Sequence, residues 1–230
     1  MKKIAISQSN YIPWKGYFDL INMVDEFVLY DDMQYTKRDW RNRNKIKTPQ
    51  GLKWLSIPVD VKGKYFQKIN ETIVADPKWS LIHWKTIKQC YSKAPFFSEY
   101  KDIFEDFYMN NKEECLSLIN AQLIKTINSI LGINTKVTWS SDYELLDGQT
   151  EKLLGICKQA DANLYFSGPA AKCYFDEALA EKMGIQVKWV DYSGYPEYHQ
   201  LNPPFEHGVS ILDLIFNEGP EAINFMKSFK

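Results

Sequence analysis

The segment from Ile4 to Lys45 limits the fold more than any other. Ile4-Ala5-Ile6 suits a short strand, Ser9 and Asn10 suit a turn or a helix cap, and Pro13 suits a helix start, with Gly16 allowing a close backbone approach. From Tyr17 onward, Phe18, Leu20, Ile21, Met23 and Val24 form an apolar stripe at helical spacing. Glu26-Phe27-Val28-Leu29-Tyr30 alternates as a second strand and stops at Asp31-Asp32. Two strands whose ends open into polar residues predict a Rossmann-like, mostly parallel α/β sheet with a binding crevice at those ends. A plain strand–turn–helix unit, with Trp14, Tyr17 and Phe18 in the core, would show the same pattern.

Further along, Leu52 to Val59 reads as a strand, and Ile69 to Ile73 as a partner for a strand after Gly63, extending the sheet in antiparallel fashion. Asp76-Pro77 opens a helix, with Trp79, Ile82, His83, Ile87, Cys90 and Tyr91 on one face. Two more helices, 97–109 and 113–131, complete a helical region over 77–131, taken as a subdomain of a single α/β domain. The α/β pattern then resumes: strand 135–140, helix 150–159, strand 163–166, the turn Ser167-Gly168-Pro169-Ala170-Ala171, a helix from there through about Ala180, and strand 186–190. Ser210 caps a late helix, and a final helix starts at Glu221.

The chemistry concentrates at the strand ends. Asp31 and Asp32 could hold a metal, a ribose or an amine, or cap a loop. Gln34, Lys37, Arg38, Trp40, Arg41 and Arg43 follow, mixing bidentate donors for phosphate with flat rings for a base or sugar. Such a run also suits RNA, but 28 basic and 29 acidic side chains, net −1, favour a small anionic ligand. At the second corner, backbone N–H groups of Ser167 and Gly168 could hold phosphate, with Lys172 adding charge. His83 is either a partly buried histidine or a proton shuttle. The four cysteines lie far apart and read as reduced thiols, with Cys173 the one to test as a nucleophile. No GxGxxG follows the first strand and no His/Cys grouping has metal-ligand spacing, so neither nicotinamide nor a metal is expected. The apolar stretches are too short for a membrane span or a secretory signal, which predicts a cytoplasmic protein.

Gln8, Asn10-Tyr11-Ile12-Pro13-Trp14, Gly16-Tyr17-Phe18, Asp31-Asp32, Gln34-Tyr35 and Lys37 to Arg43 together resemble the WbqC-like protein family. His83 to Ile87, Lys93 to Phe97, Leu164 to Ala170 and Ser210 to Leu214 extend the resemblance over nearly the whole chain, while Cys173 departs from it at a position usually polar or acidic. The resemblance implies a role in bacterial surface-polysaccharide (O-antigen) biosynthesis. On that basis the expected ligand is a nucleotide or nucleotide-linked amino sugar. The expected reaction is acyl or aminoacyl transfer to its amine. Asp31, Asp32 and His83 would act on the amine, with Gln8, Asn10, Tyr11, Trp14, Gly16, Tyr17 and the basic run binding. The alternatives are a non-catalytic assembly protein and an RNA or aminoacyl-tRNA user. The catalytic reading has the acidic pair, the arginine-rich segment and the two strand-to-helix corners converge on one pocket; Asp31, Arg41 and Ser167 on separate faces with no cavity between them would end it.

Overall fold

A computed structural model of the protein describes residues 1–229. Strand β1 (Lys3–Ser7) leads through α1 (Lys15–Asn22) to β2 (Glu26–Leu29). Next come the hairpin strands β3 (Arg43–Thr48) and β4 (Gly51–Ser56), then helices α2 (Trp79–Tyr91), α3 (Phe97–Asn110) and α4 (Leu116–Leu131). The α/β pattern resumes with β5 (Lys136–Trp139), α5 (Gln149–Gln159), β6 (Leu164–Ser167), α6 (Glu177–Lys182) and β7 (Gln186–Trp189), before α7 (Ile211–Glu218).

The main sheet has the order β5-β2-β1-β6-β7 with every neighbouring pair parallel. That is the doubly wound order, which reverses direction between β1 and β6 and leaves a crevice beyond their carboxyl ends. Alternation along the strands supplies both faces. Ala5, Phe27, Leu29 and Phe166 pack on one side with Phe18 and Ile21 of α1, Leu123 and Ile127 of α4, and Phe216 of α7. Ile4, Ile6, Val28 and Tyr165 pack on the other with Leu153, Leu154 and Ile156 of α5. Covering a parallel sheet on both faces requires strands as apolar as these. Among the helices, Trp84 of α2 stacks between Phe97 and Tyr108 of α3.

Several elements differ from the sequence expectation. The strand near Leu52 does not extend the main sheet; it pairs with β3 in a separate two-stranded hairpin. β3 hides its alternation because its inward positions include Asn44 and its buried Lys47 is held by the Pro204 carbonyl. Residues 69–71 form a single 3₁₀ turn rather than a strand, and only isolated bridges join Val59 to Val74 and Ile73 to Cys115. After Ser167-Gly168 the chain forms a 3₁₀ turn over Pro169–Cys173, and a helix restarts only where Asp176 accepts the Leu179 N–H at 3.0 Å. The segment after Gly219 is likewise a 3₁₀ turn, Gly219–Phe225. Among the described residues no helix is long and apolar enough to cross a membrane.

Phe27 is fully buried against Tyr17, 5.3 Å between ring centres, so Phe27→Ala should cost about 3–5 kcal/mol. In urea unfolding the midpoint should fall with the slope unchanged.

Candidate functional site

At the reversal point a cleft of about 580 Å³ opens between the ends of β1 and β6. Ser7 and Gln8 line it from β1, Ser167 and Gly168 from β6, and Gly148, Gln149 and Lys152 from the start of α5. Tyr30, Tyr165 and Tyr174 supply ring surface. Burial, with Asp32 and Tyr174 nearby, pushes the Tyr30 hydroxyl up to about 12, so it stays a hydrogen-bond donor at neutral pH. At Gly148, φ is 94° and the Glu151 carboxylate folds so close that a Cβ would meet it at 2.1 Å. The positive end of α5 is thereby partly neutralised, which leaves Lys152 as the cation this cleft offers.

A second cavity, about 330 Å³, is lined by Asn10, Pro13, Trp14, Trp40, Asn44 and Gly208. The loop from Gln8 to Trp14 borders both spaces: Gln8 faces the first and Asn10 the second. Arg41 spans the same two residues, donating to Asn10 Oδ1 at 2.5 Å and to the Gln8 carbonyl at 3.5 Å. The Tyr17 hydroxyl also donates to the Gln8 carbonyl, at 3.0 Å. Tyr192 packs edge-on to Trp14 and lies 3.8 Å from where a Cβ on Gly168 would stand, so it belongs to the wall between the spaces.

The hairpin shapes this loop. Asn44 Nδ2 donates to the carbonyls of Tyr11 and Ile12, at 3.2 and 2.9 Å, and the Tyr11 N–H reaches the Trp40 carbonyl at 3.1 Å. Ile12 is thereby held at φ 37°, a costly conformation for a β-branched residue. The Trp14 indole folds over Gly16, where a Cβ would meet the ring at 2.3 Å. The start of α1 is therefore covered by an aromatic ring and is not open to an anion.

Asp31 is buried beneath the loop, accepting from the Ser9 N–H at 2.7 Å and from the Ser117 hydroxyl. Burial pushes its carboxyl upward against those bonds and the Arg41 charge. Asp32 is partly exposed and is held by Ser140 Oγ at 2.6 Å, Asn70 Nδ2 at 3.3 Å and Lys68 Nζ at 3.5 Å. His83 lies in the helical region, its Nδ1 2.8 Å from the Tyr11 hydroxyl, which in turn is 2.6 Å from that of Tyr108. Asp31, Arg41 and Ser167 thus share one end of the sheet, but only Ser167 lines the cleft. Asp31 lies below the loop and Arg41 beside it.

Among the basic side chains of this run, Arg41 alone bonds to the loop. Arg43 stacks its guanidinium 4.1 Å from the Trp54 ring centre, while Lys37 and Arg38 are exposed on the preceding turn. Gln34 donates to the Tyr65 carbonyl at 2.8 Å. Lys172 lies over Trp189, and exposed Cys173 donates to the Ala170 carbonyl at 3.2 Å. Sequence reasoning does not single out Lys152, Tyr30, Tyr192 or Asn44; the strand–loop–helix step into α5 is the one signal from which Lys152 could have been found. Among the described residues no group of three or more His, Cys, Asp or Glu could hold a metal.

Parallel strands in this order, with a cleft at the reversal point, define a Rossmann-like α/β protein. The chain belongs to the WbqC-like protein family, whose pattern it matches over residues 8–225. It is 53% identical over 227 residues to the uncharacterized protein Rv1507c of Mycobacterium tuberculosis, covering 99% of this chain and 98% of that one. No solved structure matches it significantly.

The environment of His83 predicts a pH dependence. Burial, opposed by a bond to the Ser56 backbone, holds its pKa down to about 4, whereas the unfolded chain titrates at about 6.5. A depressed folded pKa means this contribution is complete above pH ~6.5 and is lost as pH falls toward ~4, about 3 kcal/mol in all. His83→Gln should flatten that part of the stability–pH curve in denaturant titrations.

Proposed function

We propose that the protein is a transferase of bacterial surface-polysaccharide biosynthesis that acylates or aminoacylates the amine of a nucleotide-linked amino sugar. Family membership supports the polysaccharide setting. The observation that carries the nucleotide reading is the cleft at the sheet's reversal point, where open α/β sheets bind ligands, with Lys152 at its edge. In this reading Lys152, Ser167 and Gln8 hold the phosphates and the tyrosine rings meet the nucleoside.

The amine nitrogen attacks the acyl carbon, a C–N bond forms, and the bond from that carbon to its oxygen or sulfur carrier breaks. The nitrogen's proton passes to a base and the carrier leaves as an alcohol or thiol. Asp32, whose charge is felt by the Tyr30 hydroxyl that lines the cleft, orients the amine and takes the proton. Arg41, fixed on Asn10 at the border of the two spaces, steadies the negative charge that develops on the acyl oxygen. Asp31, His83 and Tyr11 act in this scheme by holding the loop and the helices behind it. Lys37, Arg38 and Arg43 lie outside it.

A second reading draws on a different observation. Trp40 and Trp54 are exposed, pack 5.4 Å apart and carry Arg43 and Lys45 against them, the stacking and charge that single-stranded RNA or an aminoacyl-tRNA end would use. That reading fails if RNA affinity is absent or insensitive to salt.

Nucleoside diphosphates and their amino-sugar conjugates should raise the melting temperature of the protein by mass action. Lys152→Ala should weaken that binding about tenfold. No stabilisation by any nucleotide, or affinity unchanged in Lys152→Ala, would overturn the assignment of the cleft. Mass spectrometry after incubation with acyl or aminoacyl donors tests the transfer step itself.

A further inference from the structure

We propose that the cavity between Trp14 and Trp40 is a binding site for a pyranose ring, separate from the cleft at the sheet's reversal point. The nucleotide-linked sugar reading supplies one source for that ring; a free saccharide is the other. The site itself rests on its own walls.

Both indoles rest on aromatic neighbours, Trp40 with 39% of its surface exposed. Trp14 lies on Gly16 and is met edge-on by Tyr192 and Tyr195, at 5.4 and 5.5 Å between ring centres. Trp40 is packed against Trp54 at 5.4 Å. Rigid rings in a cavity lose little freedom when a ligand arrives. At about 330 Å³ the space is near the lower limit for small-molecule sites, roughly 300 Å³, which suits one substituted ring and not a dinucleotide.

The polar groups are equally constrained. Arg41 has only donors, so the Asn10 oxygen must face it, and the Nδ2 hydrogens of Asn10 remain for a ligand hydroxyl. Asn44 is turned the other way, its Nδ2 spent on the Tyr11 and Ile12 carbonyls and its Oδ1 accepting the Lys45 N–H at 2.8 Å. The lining, Asn10, Pro13, Trp14, Trp40, Asn44 and Gly208, carries no charged side chain, and Lys45 Nζ borders it, 5.9 Å from the Trp40 ring centre and 4.0 Å from where a Cβ on Gly208 would stand. A simple acyl chain would leave the amide donor unused. A sugar ring offers what these walls match: a C–H face for the indoles and hydroxyls for the amide. The strained Ile12 backbone, locked by Asn44, sits directly behind this wall.

The test is calorimetric titration with methyl glycosides of glucose, galactose and their N-acetylamino forms, alongside UDP and UDP-N-acetylglucosamine. Wild type should bind glycosides in the millimolar range. Trp40→Ala should weaken them about tenfold while leaving UDP affinity unchanged. Asn10→Asp keeps an acceptor for Arg41 but removes the donor, and it should weaken glycosides similarly while retaining the circular dichroism and melting behaviour of wild type. A nucleotide sugar that binds tighter than UDP, with the gain lost in Trp40→Ala, assigns the ring to the nucleotide-linked substrate. Glycoside binding without that gain assigns it to a free saccharide. Glycoside binding in a protein that ignores nucleotides would leave this site standing and remove the proposed transferase function. If no glycoside binds, or if Trp40→Ala and Asn10→Asp bind glycosides as wild type does, the site is not a pyranose site.

Discussion

The loop between β1 and α1 turns in a place with little water, and its main-chain groups depend on partners from distant parts of the chain. The Ser9 N–H goes to Asp31, the Tyr11 N–H to the Trp40 carbonyl, and the Tyr11 and Ile12 carbonyls to Asn44. The Pro13 carbonyl accepts the Ile211 N–H at the start of α7. A buried peptide group left unpaired costs about 1–3 kcal/mol, so these five bonds together fix one loop shape and tolerate the strain at Ile12. The lining of both cavities follows from that shape, because Gln8 and Asn10 stand on opposite sides of the same turn.

Buried ionisable side chains elsewhere serve the same purpose. Asp19 accepts the Lys227 and Ser228 N–H groups and ties the C-terminal segment to α1. Asp213 gathers Tyr91, Tyr198 and Gln200 at 3.0, 2.7 and 2.8 Å. Lys15 is buried between the Tyr195 and Tyr198 rings and donates to the Pro196 carbonyl, and burial brings its pKa down to about 8 despite Asp19. Each of these groups has exchanged hydration for bonds to side chains or irregular backbone, and together they tie down the long segment after β7. That segment sets Tyr192 and Tyr195 against Trp14 and brings Gly208 into the lining of the smaller cavity.

This arrangement suits a ligand with two chemically different parts. The larger cleft offers a cation, hydroxyls and tyrosine rings; the smaller one offers indole faces and a neutral amide. Arg41 and the Gln8–Asn10 turn stand at their common border, where a bond between the two parts of such a ligand, or between two ligands, would be within reach of a fixed positive charge.

The sequence by itself determined the elements of the opening strand–helix–strand unit and the class of fold. Apolar alternation in Ile4–Ile6 and Glu26–Tyr30, and helical spacing from Tyr17 to Val24, are short-range signals, and a strand–helix–strand unit built from them admits a parallel sheet. It also located the rich end of that sheet, because Gln8, Asn10, Asp31 and Ser167 all follow strand ends. It could not show that Asp31 would be buried under Ser9, that Arg43 would turn to Trp54 while Arg41 turned to Asn10, or that α5 would bring Lys152 to the cleft. Those outcomes depend on partners far away in the chain, among them Ser117, Trp54 and the turn at Gly148. A run of like side chains has no local preference for which member faces inward, and only the packing of the hairpin and helices against the sheet breaks that tie.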